Sequence, residues 1–110
     1  MPSQRKPILL QEVGYPSSEL NSSSEEKQAR FFSNVLDEIH AHSGQFIGAN
    51  FCFMSDFSDE LADGFVKYYK AENASRFRAF IKTLGMFDDK GRPKQSWALF
   101  QQKAPQVSRR

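Results

Sequence analysis

The sequence predicts an α/β fold, and three observations carry that expectation. Two short apolar runs, at positions 7–13 and 46–54, read as strands. Amphipathic stretches of helical period follow each of them. The resulting order is β-α-β-α with one extra helix in the second connection, the alternation that builds a parallel sheet with right-handed crossovers.

The first strand is the run Pro7-Ile8-Leu9-Leu10-Gln11-Glu12-Val13, bounded by Pro7 and Gly14. Gly14-Tyr15-Pro16-Ser17-Ser18 breaks it into a loop. Ser22 with Glu25, and Ser23 with Glu26, fit the capping box that satisfies free backbone N–H groups at a helix start. The helix spans about Glu25 to Ala41. Ala29, Phe32, Val35, Leu36 and Ile39 recur on one face, with Phe31 at its flank. His40 and His42 fall in or just past the last turn, where positive charge is favoured, and Gly44 is a plausible stop.

The second strand, Phe46 to Met54, is apolar on both faces apart from Asn50, as a parallel sheet covered on two sides requires. The connection from Ser55 to Ala74 holds a helical piece at Glu60–Tyr69, with Leu61, Phe65 and Tyr68 in register. Another helix is expected at Ser75–Leu84, around Phe77, Phe80, Ile81 and Leu84. Asp88 to Pro93 is a polar turn, and a last short helix starts at Ser96-Trp97-Ala98-Leu99-Phe100. The domain expected is 7–102, with residues 1–6 disordered and 103–110 a flexible tail.

Size and composition bound what the chain can be. At 110 residues it holds one small domain, with 39% apolar residues and 11 Phe to build a core. Fifteen basic against 13 acidic residues leave a net charge of +2, too small an excess to argue for nucleic acid. Arg5-Lys6 and Arg109-Arg110 place part of that excess at the ends, where solvated termini account for it. Cys52 is the single cysteine, so no intrachain disulfide or CxxC site exists. Ile8–Leu10 is too short for a signal h-region or a membrane span. The localisation expected is cytoplasmic if Met1 is the true start, and otherwise unknown. Two strands cannot bury these apolar faces alone, so the chain reads as a piece of something larger or as one that borrows a partner.

Two segments carry a family resemblance. Lys6-Pro7-Ile8-Leu9-Leu10-Gln11-Glu12-Val13-Gly14-Tyr15-Pro16-Ser17 resembles the seventh strand of retaining glycoside hydrolase barrels of the cellulase, galactanase and β-glucanase superfamily. There, a strand ends in Glu followed by x-Gly-aromatic-Pro. Lys90-Gly91-Arg92-Pro93-Lys94-Gln95-Ser96-Trp97 resembles the D-G-x-P-K-x-x-W segment with which many of these barrels close their final helix. Phe46–Met54 then falls where the eighth strand belongs. The resemblance covers about Lys6 to Gln102. It implies the last two βα units of a (β/α)₈ TIM barrel, incomplete as a barrel.

The chemistry suits that assignment. Active sites of such barrels lie at the C-terminal strand ends, where Glu12 sits. A retaining glycosidase needs a carboxylate nucleophile and a second carboxyl ~5–5.5 Å away as acid/base. The resemblance makes Glu12 the nucleophile, facing a hollow shared with strands outside this sequence. It puts the acid/base on the fourth strand, which this chain lacks. Asp56, Asp59 and Glu60 follow the second strand, but nothing marks them as replacements. The plain alternative for Glu12 is local pairing at a strand end.

Three residues are candidates for substrate contact. Tyr15 would wall the cleft or hydrogen-bond the nucleophile; its alternative is loop packing. Related enzymes carry a Trp platform after the eighth strand, and none stands here. Phe53 or Phe57 could stack on a sugar ring instead, against a plain role in the core. Asp56 could meet sugar hydroxyls, or cap a helix or turn. His40-x-His42 lacks the ligands of a metal site. Cys52 reads as a small buried hydrophobe, and Trp97 as the residue that packs the last helix. No metal and no cofactor is implied.

The function implied is hydrolysis of a β-linked glycan with retention, in a chain inactive by itself. The partners expected are a carbohydrate substrate and the missing N-terminal barrel portion or a self-association partner, with no nucleic acid and no membrane. The rival readings are a non-catalytic carbohydrate-binding or accessory fragment, and a small α/β protein that dimerises through open sheet edges.

Overall fold

The computed structural model describes residues 6–108. Of the start expected to be disordered, residues 1–6, positions 1–5 lie outside them, as does the Arg109-Arg110 pair. Lys6 is irregular and exposed.

Two strands, β1 (Ile8–Val13) and β2 (Phe46–Phe51), pair in parallel. The helices are α1 (Glu25–Ala41), α2 (Asp59–Tyr68), α3 (Ser75–Lys82) and α4 (Gln95–Ser108), with a 3₁₀ turn at Glu19–Asn21. The chain is therefore α/β, in the order the apolar periods predicted. Leu10 stands opposite Ala49 and Val13 opposite Phe51, with one extra β1 residue between them. That bulge covers Gln11 and Glu12, so the acidic residue sits where the strand's alternation is interrupted.

α1 begins at Glu25, but its cap is Ser24, whose side chain accepts the Lys27 amide at 3.1 Å. The capping boxes expected from Ser22 and Ser23 do not form. Ser22 instead takes a left-handed backbone (φ 58) behind the 3₁₀ turn, and the Ser23 hydroxyl donates to the Pro16 carbonyl at 2.7 Å. The buried face of α1 is Gln28, Ala29, Phe32, Leu36 and Ile39. Phe32, 1% exposed, packs with Val13 and Met86. Around them gather Leu10, Phe51, Phe87, Trp97 and Phe100. Phe51 meets Phe32 and Phe100 edge-on at 5.0 and 5.1 Å, a favoured aromatic geometry. Trp97 lies 4.9 Å from Phe87 and holds the start of α4 to this core.

β2 ends at Phe51, three residues short of the predicted Met54. The Cys52 amide still bonds the Val13 carbonyl at 2.8 Å, but the chain then leaves β1. The Met54 carbonyl accepts the Met86 and Phe87 amides instead, and Ser55 bridges to Phe87. The end of this strand is thus diverted to hold the connection between α3 and α4.

The tail expected to be unstructured from Lys103 is helical to Ser108. Lys103 Nζ reaches Asp37 Oδ1 at 2.7 Å, and Ala104 and Val107 line a groove with Leu36 and Ile39 of α1. Packing along α1 supports the helix across Pro105, which has no N–H to offer the ladder.

The strands are not covered on both sides. Ile8, Leu9 and Ile47 are 40%, 46% and 63% exposed. These are apolar residues on a two-stranded parallel sheet, and each strand has an outer edge that no other described strand occupies. Among the described residues, no helix is long and apolar enough to cross a membrane.

Candidate functional site

The chemistry-bearing residues collect at the C-terminal ends of the two strands. Glu12 is exposed there and forms no hydrogen bond or ion pair among the described residues. Its charge reaches Cys52, just past β2. Burial pushes the Cys52 thiol above its ordinary value, and the Glu12 charge pushes it further the same way. The two segments are close because Gly14 allows it. A side chain at Gly14 would press on Cys52 Sγ at 3.0 Å.

Tyr15 is half-buried and stacks on Phe31 at 4.7 Å. Together with Lys27, Arg30 and Asn34 the pair lines a hollow of about 320 Å³. Phe53 stands 4.8 Å from Phe57, which is buried and stacks on Phe65 at 5.1 Å. The two Phe residues thus begin an aromatic row that runs onto α2.

Asp56 is not open to solvent in the way a sugar ligand needs. Its side chain is 8% exposed, and Oδ1 accepts from Lys94 Nζ at 2.7 Å and from the Gly85 amide at 2.8 Å. Burial pushes its carboxyl above the ordinary aspartate range, and the Lys94 contact pulls part-way back. Lys94, its side chain 3% exposed, also donates to Ser17 Oγ at 3.0 Å. Gly85 permits this close approach, since a Cβ there would collide with the backbone of Ser55 and Asp56.

A second buried polar group lies beside the first. Gln28 is fully buried within the apolar face of α1. Its amide donates to the Tyr15 and Gly85 carbonyls, each at 3.0 Å, and its Oε1 accepts from the Ser96 hydroxyl at 2.8 Å. Gln28, Lys94, Asp56, Ser17 and Ser96 therefore tie five segments together: α1, the loop after β1, the loop after β2, the α3–α4 connection and the start of α4. Buried polar groups with full sets of partners hold one arrangement, because loosening any of them strands a desolvated group.

From the sequence, Lys94 belongs to the second family-like segment but has no evident task there, and neither Gln28 nor Ser96 stands out. A signal for Gln28 is nonetheless present. It is a polar residue next to Ala29 and one turn before Phe32, on the stripe that must be buried. The structure brings Glu12 to Cys52, and ties Asp56 through Lys94 to the loop that carries Tyr15. No hydrogen bond or ion pair joins Glu12 itself to Tyr15, Phe53 or Asp56 among the described residues.

Among the described residues, no group of three or more His, Cys, Asp or Glu side chains could hold a metal ion. His42, just past the end of α1, lies 3.5 Å from Glu38, an exposed pair at the helix end. The fold and site define a small α/β chain with a two-stranded parallel sheet, an exposed strand-end carboxylate and a braced set of loops. No family model matches the chain, and no curated protein matches it significantly.

Proposed function

We propose that the chain is the C-terminal portion of a retaining glycoside hydrolase acting on a β-linked glycan, supplying the last two βα units of a TIM barrel and its nucleophile, Glu12. The observation that carries this reading is the parallel pairing of β1 with β2, with an exposed glutamate one residue from the end of β1. That is the barrel face on which such enzymes do their chemistry. The motifs around Glu12 and Lys94 support it. The uncovered sheet and its open edges are where further strands would add, and those strands would wall a cleft beside Glu12.

In this reading the Glu12 carboxylate attacks the anomeric carbon and expels the leaving group, which a carboxyl on the absent portion protonates. Water, activated by that same group, then releases the sugar with its configuration retained. Tyr15 and Phe53 would contact the sugar. Asp56, closed off with Lys94, would brace the loops.

Reconstitution tests it. The chain is mixed with an N-terminal six-unit fragment of a barrel glycosidase of this superfamily and assayed on aryl β-glycosides. Hydrolysis with retention, lost in Glu12→Gln, is expected. Activity unchanged by that substitution would remove Glu12 from the mechanism.

The exposed Ile8, Leu9 and Ile47 and the two open strand edges also favour a second reading, a small α/β protein that pairs with its own copy through the sheet. A folded homodimer that engages neither sugar nor barrel fragment would select it.

A further inference from the structure

Glu12 stands on a bulge at a strand end, a place where the backbone ladder alone does not fix it. Two residues on, Gly14 is seated against Cys52, and Tyr15 follows. The Val13 carbonyl is held by the Cys52 amide at 2.8 Å. The Tyr15 carbonyl is held by the Gln28 side chain at 3.0 Å. Glu12 is thus the residue just before a short segment, Val13 to Tyr15, that is pinned at both of its ends.

We infer that Gln28 is the positioning residue for Glu12: by holding the Tyr15 carbonyl, its amide keeps Gly14 against Cys52 and so sets where the Glu12 carboxylate stands. Its role in catalysis rests on the glycosidase reading; the geometric claim does not. Gln28 suits the task because nothing else about it is free. Its second strong acceptor is the Gly85 carbonyl, and its own oxygen is fixed by Ser96 on α4. The amide therefore has one orientation, and the loop after β1 is referenced to the core and not to solvent. Gln28 touches no reacting atom and is not a catalytic residue.

Cys52 is the built-in reporter, because its thiol senses the Glu12 charge. The rate of Cys52 alkylation by iodoacetamide is followed against pH by mass spectrometry in the 110-residue chain. Four forms are compared: the parent, Glu12→Gln, Gln28→Met, and the double variant. Glu12→Gln removes a negative charge beside the thiol, so alkylation at pH 8 is expected to quicken about two- to fivefold. With Gln28→Met present, the same change is expected to have less than half that effect. A purely structural Gln28, contributing stability and nothing more, would leave the ratio the same in both backgrounds, and that result overturns the inference. So does a Glu12→Gln variant that alkylates no faster than the parent.

If Gln28→Met does not fold by circular dichroism, Ser96→Ala takes its place. It frees the Gln28 oxygen and leaves the amide present, and the ratio should again fall; an unchanged ratio overturns the inference here too. The readout needs no substrate and no partner fragment, so its failure is separable from failure of the glycosidase reading.

Discussion

Lys94 Nζ lies 2.7 Å from Asp56 Oδ1, with the two side chains only 3% and 8% exposed. This is a buried ion pair in which Lys94 also donates to Ser17 Oγ and the Thr83 carbonyl, and Asp56 Oδ1 also accepts the Gly85 amide. It joins the loop after β2 to the start of α4 across 38 residues of chain.

Removing one partner strands the other. Lys94→Met is expected to destabilise the chain by roughly 3–5 kcal/mol at pH 7, the usual cost of an uncompensated buried charge. The pH dependence follows from the Asp56 carboxyl, which titrates above its ordinary 3.8 when folded. A raised folded value contributes stability that is present below the unfolded value and lost as pH rises through the folded one. Without Lys94 that value rises further, so the penalty should be smaller at pH 4 than at pH 7. Urea unfolding at the two pH values checks this; equal losses would contradict it.

Gly85 is the tightest backbone contact near the site. A Cβ there meets the main chain of Ser55 and Asp56, which cannot step aside as a flexible side chain would. Gly85→Ala is expected to cost roughly 2–4 kcal/mol, in the range of overpacking and strained substitutions. Gly44→Ala, whose added methyl would enter open space, should cost far less. Thermal unfolding of the two variants compares them directly.

Phe32 is the centre of the core and touches both the sheet and its neighbouring rings. Phe32→Ala should remove roughly 3–5 kcal/mol. For a domain whose total stability is of the order of 5–15 kcal/mol, that leaves little. Loss of the near-ultraviolet aromatic signal at ambient temperature is the expected result.

The turn at Asp88 is sensitive to acid in the opposite sense from Asp56. The Arg92 amide, with help from the Lys90 amide and the Arg92 guanidinium, holds the Asp88 carboxyl below the ordinary 3.8. A lowered folded value contributes stability that is present above the unfolded value and lost as pH falls through the folded one. The Lys90 and Arg92 amide resonances should therefore titrate together with a midpoint below 3.8. A midpoint at or above that value would show the turn to be unlinked to Asp88.

The fold was legible where period and burial agree. The bounds of α1 follow from Phe32, Leu36 and Ile39 at helical spacing, and the order of elements from the two apolar runs. The end of β2 was not legible, because Met54 continues the apolar run while its carbonyl is drawn off to Met86 and Phe87. The length of α4 was hidden for a related reason. The tail carries no apolar stripe of its own, and the support that α4 receives comes from α1, which is remote in sequence. The place of Glu12 near the end of the first strand was readable. Gln28 and Lys94 were not, because a buried polar side chain shows its purpose only when the carbonyls and carboxylate it meets are in place.

The most direct test of Glu12 as nucleophile is covalent trapping. The reconstituted pair is incubated with a 2-deoxy-2-fluoro β-glycoside bearing a good leaving group, digested, and sequenced by mass spectrometry. A fluoroglycosyl ester on the peptide at Glu12, absent in Glu12→Gln, is the predicted result. A hydrolytically active pair that carries the label on another carboxylate, with Glu12 unmodified, would contradict it.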